Sequence, residues 1–173
     1  MKARVLTSVG FYGIALAVAV VDQLVKARVL ASLPEGDFAS IPLWPGVFHL
    51  THVHNRGAAF SMLEGRLTVI VLAGLLIAAA IVATERRAKG RLPRFLGVAL
   101  ALPLGGALGN LIDRVRFGYV VDFLDFRLIH FPIFNVADSA ITIGIGLLLV
   151  RSLFADRAKD PSPTHAPLPE EGA

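Results

Sequence analysis

The chain has 173 residues, of which 55% are apolar and 17% charged, with a net charge of +4 and no cysteine. A mean hydropathy of +0.67 takes it out of the range of soluble domains and into that of a small integral membrane protein. The lack of cysteine excludes disulfides, thiolate metal sites, a cysteine nucleophile and S-acylation. The basic residues stand in short clusters between apolar runs, where they set membrane orientation rather than hold nucleic acid.

The uncharged run from Val5 to Val21, at a rise of ~1.5 Å per residue, nearly crosses a hydrocarbon core of ~30 Å and opens a first span of about 5–25. Its basic start and the small-residue stretch at Ala15-Leu16-Ala17 also fit a cleaved signal peptide, but three later spans favour a retained anchor. Asp22 and Lys26 follow at a spacing of four on one helical face, which as a plain reading is a salt bridge at the helix end.

From Ser32 to Arg66 the composition turns to Pro, Gly and polar residues. Alternation through Val47, Phe48, His49, Leu50, Thr51, His52 and Val53 reads as a strand, and Pro42 and Pro45-Gly46 break up its approach. A small sheet on the membrane surface is expected, followed by a short, partly amphipathic surface helix near Ala58 to Leu63. His49, His52 and His54 invite a metal reading, since His52 and His54 share a face of a strand. No Cys or carboxylate stands at a convincing spacing and the helical HExxH pattern is absent, so no metal is assigned.

Leu67 to Thr84 gives the second span, 67–84, and the cluster of Arg86, Arg87, Lys89, Arg91 and Arg94 after it marks a cytoplasmic loop. The third span, 95–112, carries Ala101, Gly105 and Gly109 as a small-residue stripe for close helix approach, with Pro103 as a kink site. It ends in Asn110, Asp113 and Arg114. Val115 to Phe131 reads as a loop interrupted by Pro132, and Asn135-Val-Ala-Asp138 reads as a helix cap that starts the fourth span, 135–152. Residues 1–155 then form a single four-span domain, and the Pro-rich tail, 156–173, has no core-forming residues and is expected to be disordered on the cytoplasmic side.

With both termini and the 85–94 loop inside, ten basic and five acidic residues lie on the inner side and seven and eight on the outer side, of 17 and 13 in all. That asymmetry has the sign of the positive-inside rule. It places Asp22, Asn55, Asn110, Asp113, Arg114, Asp122, Asn135 and Asp138 together at the outer face.

Two carboxylates in an apolar site share a proton and titrate as a unit, and such a pair can hydrolyse an amide. Asp122 and Asp138 are the candidates, because the intervening segment with Pro132 can fold back and set them face to face. The plain alternatives are a helix-dipole partner for Asp138 and a solvated loop acid for Asp122. No serine sits in a nucleophile elbow, and there is no phosphate loop or dinucleotide fingerprint. A proton or cation transporter would spread its acids through the membrane depth or show inverted repeats; a structural membrane partner would use the glycine stripe alone.

Five ordered blocks carry a resemblance: Asp22-Gln-Leu-Val-Lys26, Asn55-Arg-Gly57-Ala-Ala-Phe-Ser61, Gly105-Gly-Ala-Leu-Gly109-Asn110-Leu-Ile-Asp113-Arg114, Val120-Val-Asp122-Phe123 and Phe134-Asn135-Val-Ala137-Asp138-Ser139. Over roughly Gly10 to Val150 the chain resembles the bacterial lipoprotein signal peptidases (signal peptidase II), with no departure at the motif positions. The resemblance implies a mainly α membrane protein of four transmembrane helices with a small extracytoplasmic β-sheet and a short surface helix. It implies an intramembrane aspartic peptidase of the bacterial cytoplasmic (inner) membrane that cuts prolipoproteins on the amino side of a diacylglyceryl-cysteine. The catalytic pair would be Asp122 and Asp138. Asn55, Gly57, Asn110, Arg114, Asn135 and Ala137 would shape or support the substrate pocket, and Asp22, Lys26 and Asp113 would be scaffold. It further implies a monomer that meets its substrate among membrane lipids and uses no metal, cofactor or nucleic acid. Having no cysteine, the chain is not itself a substrate of such an enzyme.

Overall fold

The computed structural model describes residues 5–36, 40–57, 65–129 and 131–157, with side chains described to Phe154. The expected surface helix near Ala58 to Leu63 and most of the Pro-rich tail lie outside the described residues. Among the described residues, four helices are long and apolar enough to cross a membrane: α1 (Ser8–Ser32), α2 (Leu67–Arg87), α3 (Arg94–Phe117) and α4 (Val136–Arg157). They alternate with five short strands, β1 (Val5–Leu6), β2 (Ile41–Trp44), β3 (Phe48–Asn55), β4 (Leu92–Pro93) and β5 (Val120–Phe126).

α3 is the central helix, packed against α1, α2 and α4. Half of its apolar window is buried, against 11–22% for the other three, because its surface is built from small residues. A Cβ on Gly105 would stand 2.5 Å from the Ala15 carbonyl oxygen of α1, and one on Gly109 would stand 2.5 Å from Asp22 Oδ2. These two belong to the expected stripe. Gly106, one residue round the helix, lets α3 meet α4 at the Ala137 carbonyl, and Gly144 of α4 receives the ring of Pro103. Backbones that approach this closely exclude lipid by shape, the packing mode available where no hydrophobic gain separates helix from lipid.

At one end of the bundle β1 pairs with β4, Val5 opposite Pro93 and Leu6 opposite Leu92. Glu85, buried at that end of α2, accepts hydrogen bonds from Ser8 Oγ at 2.6 Å and Tyr12 OH at 2.9 Å. α1 starts at Ser8, where Thr7 Oγ1 accepts from the Gly10 N–H. It runs on through Asp22 and Lys26 to Ser32, so these two charges sit within the helix rather than at its end.

At the other end stands an antiparallel sheet ordered β2-β3-β5. β2 is an edge strand, which is why Pro42 is tolerated in it. The segment read as a loop from Val115 to Phe131 is in fact the last turn of α3, a left-handed Gly118 cap with φ 79°, and the strand β5. Its period-2 signature is missing because Val120, Val121, Asp122 and Phe123 are all buried, so both faces of the strand are covered. Between the pairs Leu50–Leu124 and Val53–Asp122 the register slips, leaving Thr51 and His52 opposite Phe123 alone. Such a β-bulge re-aims side chains beside it. Val121 and Phe123 pack on Val29 of α1 and on Leu33, which caps it, seating the sheet on the helix bundle.

Candidate active site

Asp122 on β5 and Asp138 in the first turn of α4 come from two elements that the bundle end brings together. Asp122 is 2% exposed. Its Oδ1 accepts from Asn135 Nδ2 at 2.7 Å and its Oδ2 from Asn55 Nδ2 at 2.9 Å. Asp138 Oδ1 accepts from Asn110 Nδ2 at 2.7 Å and its Oδ2 from the Asn135 backbone N–H at 3.3 Å. Each of the four carboxylate oxygens thus receives one N–H from an uncharged amide. Asn135 also caps α4, its Oδ1 accepting from the Asp138 N–H at 2.9 Å, so one residue touches both aspartates. This is the reciprocal capping box expected from the sequence, with Asp in place of the usual Glu or Gln.

Burial pushes the Asp122 carboxyl up from its ordinary 3.8 to about 7, helped by the neighbouring Asp138 charge, while the Asn55 and Asn135 hydrogen bonds pull the other way. Among the described residues no cation is hydrogen-bonded to it; Lys26 lowers it only from a distance, and that ammonium is already satisfied. Lys26 Nζ has three N–H groups and three acceptors: Asp22 Oδ2 at 2.9 Å, Asp113 Oδ2 at 2.8 Å and Asn110 Oδ1 at 2.8 Å.

The Lys26 triad sets the position of the aspartate pair through the backbone. Asp22 Oδ1 accepts from the Ala137 N–H at 2.9 Å, and Asp113 Oδ2 accepts from the Val121 N–H at 3.2 Å. Ala137 and Val121 immediately precede Asp138 and Asp122. Each scaffold carboxylate therefore holds the peptide next to one member of the pair, and the shared ammonium ties the two holders together. Ala137 is fully buried, with its Cβ against the space left by Gly109. Arg114 Nη2 donates to the Gly57 carbonyl at 2.9 Å, and Asn55 Oδ1 accepts from the Gly57 N–H at 2.9 Å. All eleven residues that the resemblance assigns to the pair, its pocket and its scaffold thus fall in one connected network.

Two further polar groupings, one in the network and one on the sheet, carried no recognisable signal. Gln23 Nε2 donates to Asp113 Oδ1 at 2.7 Å and to the Gly109 carbonyl at 3.1 Å. It lay inside a quoted block, but one uncharged amide on an apolar helix gives no spacing clue. On the sheet, Asp125 Oδ2 accepts from Thr51 Oγ1 at 2.6 Å and Arg127 Nε at 2.8 Å. Burial works to raise the Asp125 carboxyl, but these two partners outweigh it and hold it below the ordinary range. Arg127 also donates to Ser40 Oγ at 3.0 Å, joining β5 to the approach of β2.

The signal peptidase (SPase) II family model matches residues 14–154. A lipoprotein signal peptidase of Brevibacillus brevis is 46% identical over 150 residues, covering 87% of this chain and 98% of its own length. One of Halothermothrix orenii is 46% identical over 145 residues, covering 80% and 92%. Two bacterial membrane enzymes solved by the in meso method are similar in structure. The one at 2.3 Å resolution has a TM-score of 0.83 at 33% identity over 92% of this chain and 97% of that one. The one at 1.9 Å has a TM-score of 0.76 at 34% identity over 88% and 98%. Four membrane-length helices, a buried aspartate and these matches agree: the chain belongs to the signal peptidase II family of membrane aspartic peptidases, the lipoprotein signal peptidases.

Proposed function

We propose that the chain hydrolyses the signal peptide from prolipoproteins, cutting on the amino side of a cysteine that carries a diacylglyceryl group, with Asp122 and Asp138 activating water. The observation that carries this reading is the clamp of neutral amides on all four carboxylate oxygens. A cation on either acid would hold it ionised, whereas neutral donors leave the pair free to share one proton, consistent with an Asp122 carboxyl near 7. The ionised member takes a proton from water as the oxygen attacks the scissile carbonyl; the neutral member hydrogen-bonds the carbonyl oxygen. Collapse of the tetrahedral intermediate breaks the C–N bond, and the proton passes to the leaving amino group of the lipidated cysteine. Asn55, Asn110 and Asn135 hold the pair, Arg114 and Gly57 shape the approach to it, and Asp22, Lys26 and Asp113 act as scaffold.

The site lies near the outer membrane face, with both termini cytoplasmic. The excess of basic residues at the β1–β4 end of the bundle supports this orientation. The lipid-bearing substrate arrives by lateral diffusion, its acyl chains among the apolar helices and membrane lipids. A single chain supplies both aspartates, so the enzyme works as a monomer. Residues 1–155 make one catalytic domain.

Purified protein in detergent is tested for cleavage of a diacylglyceryl-modified prolipoprotein, with Asp122→Asn and Asp138→Asn compared at matched folding. The expected result is wild-type cleavage that either substitution abolishes. Near-wild-type rates in either variant would reject the pair, and an inactive, folded wild type would reject the reaction.

A further inference from the structure

Gln23 follows Asp22 on α1 and takes no part in the clamp on the aspartate pair. Its Nε2 donates to Asp113 Oδ1 at 2.7 Å and to the Gly109 carbonyl at 3.1 Å, and stands 3.4 Å from Asp22 Oδ2. All three partners only accept, so the nitrogen of the amide, not its oxygen, faces α3. Gly109 and Asp113 lie one turn apart on α3. The approach is open because Gly109 has no side chain: a Cβ there would stand 2.5 Å from Asp22 Oδ2.

Asp113 is fully buried, so protein donors alone serve its two oxygens. Oδ2 is shared by Lys26 Nζ at 2.8 Å and the Val121 N–H at 3.2 Å, and among the described residues Gln23 is the sole donor to Oδ1. Two donors on one oxygen leave a carboxylate free to turn about its Cβ–Cγ bond; a third donor on the other oxygen fixes its plane. A turn of that plane is felt first at the longest of the three bonds, the one to the Val121 N–H. Asp22 differs, since its Oδ1 holds the Ala137 N–H at 2.9 Å and its Oδ2 holds Lys26 Nζ at 2.9 Å. Both of its oxygens have a close donor without Gln23, so Gln23 bears on one side of the aspartate pair only.

We propose that Gln23 is a positioning residue for Asp122: it fixes the plane of the Asp113 carboxylate, which fixes the Val121 peptide and with it the carboxyl of the next residue. Its effect on rate rests on the peptidase reading above. Its effect on the Val121 peptide does not.

Full-length wild type, Gln23→Met and Ser8→Ala are compared in detergent. Met keeps the length of the side chain and its packing and removes both N–H groups. Ser8→Ala removes a bond of the same kind, the 2.6 Å donor to buried Glu85 at the far end of the bundle, and reports what loss of stability alone does. Amide hydrogen exchange followed by NMR reads the Val121 and Ala137 N–H groups. Gln23→Met should speed exchange at Val121 about tenfold, the weight of one lost hydrogen bond, and leave Ala137 at the wild-type rate; Ser8→Ala should move neither. In the prolipoprotein cleavage assay Gln23→Met should lower kcat about three- to tenfold, a fraction of the roughly hundredfold that a 1 Å misplacement costs. KM should stay within about twofold, since a displaced Asp122 changes the transition state rather than substrate binding, and Ser8→Ala should keep the wild-type kcat. Gln23→Asn, whose amide stops one methylene short of Asp113, takes the place of Gln23→Met if that variant fails to fold. Unchanged exchange at Val121, equal acceleration at Val121 and Ala137, a wild-type kcat in Gln23→Met, or an equal loss of kcat in Ser8→Ala would overturn the role. With an inactive wild type the peptidase reading falls, and the exchange rates still decide whether Gln23 holds the Val121 peptide.

Discussion

Replacing Asn55 by Ala removes the N–H that Asn55 donates to Asp122 Oδ2 at 2.9 Å. That bond favours the ionised carboxylate, because an N–H donor is worth more to a charged acceptor than to a neutral one. A hydrogen bond to a charged group contributes about 1.5–3 kcal/mol against about 0.5–1.5 kcal/mol for a neutral pair, so ionisation loses roughly 1–1.5 kcal/mol of support. At about 1.4 kcal/mol per pH unit this raises the Asp122 carboxyl by about one unit. The starting value is about 7, and in the proposed mechanism the pair is active until its shared proton leaves. The alkaline limb of kcat/KM against pH, which reports the free enzyme, should therefore move upward by about one unit in Asn55→Ala. The overall rate should fall, since Asn55 Oδ1 also holds the Gly57 N–H, but the ratio of variant to wild-type rate should rise from pH 6 to pH 9. The assay is cleavage of lipidated prolipoprotein in micelles across that range. An alkaline limb that stays in place or moves downward would refute the assignment of that limb to Asp122.

Lys26→Met leaves Asp22 and Asp113 buried without their shared ammonium, a change that costs about 3–5 kcal/mol. Thermal unfolding in detergent should show a large loss, and adding Asp22→Asn and Asp113→Asn should restore part of it. Unfolding of Lys26→Met at the wild-type temperature would remove the triad from the account of the site. Gly106→Ala forces a methyl against the Ala137 carbonyl; it should cost about 1–3 kcal/mol and lower kcat by displacing the turn that carries Asp138. Gly74, whose added Cβ would meet nothing within 4 Å, supplies the comparison, and Gly74→Ala should be neutral or stabilising by about 0.5–1 kcal/mol. Equal effects at the two glycines would show that helix propensity, not close packing of α3 on α4, governs both.

The residues of the candidate site were legible because each carries a local anomaly. An acid, an amide or a glycine at the end of an apolar run is conspicuous against its neighbours, and Asn135 with Asp138 follows the spacing of a cap. What their partners would be was not legible. Asp22 and Lys26 read as a pair at a helix end, whereas Lys26 also meets Asp113 and Asn110, the latter 84 positions away, and Asp22 holds the Ala137 N–H across 115 positions. β5 escaped for a related reason: with both faces covered, its side chains have no alternation to display.

The sequence by itself determined the four spans, because transfer of each residue into hydrocarbon is a local cost that adds along the chain. It also determined the residue types that gather at one end of those spans, and with them the family. The tertiary structure alone decided which polar group answers which. It placed a neutral amide on every oxygen of the aspartate pair and spent the buried ammonium on the scaffold carboxylates. The reason is that a buried hydrogen bond is set by atoms within about 3 Å of each other, and here those atoms come from helices and strands far apart in the chain.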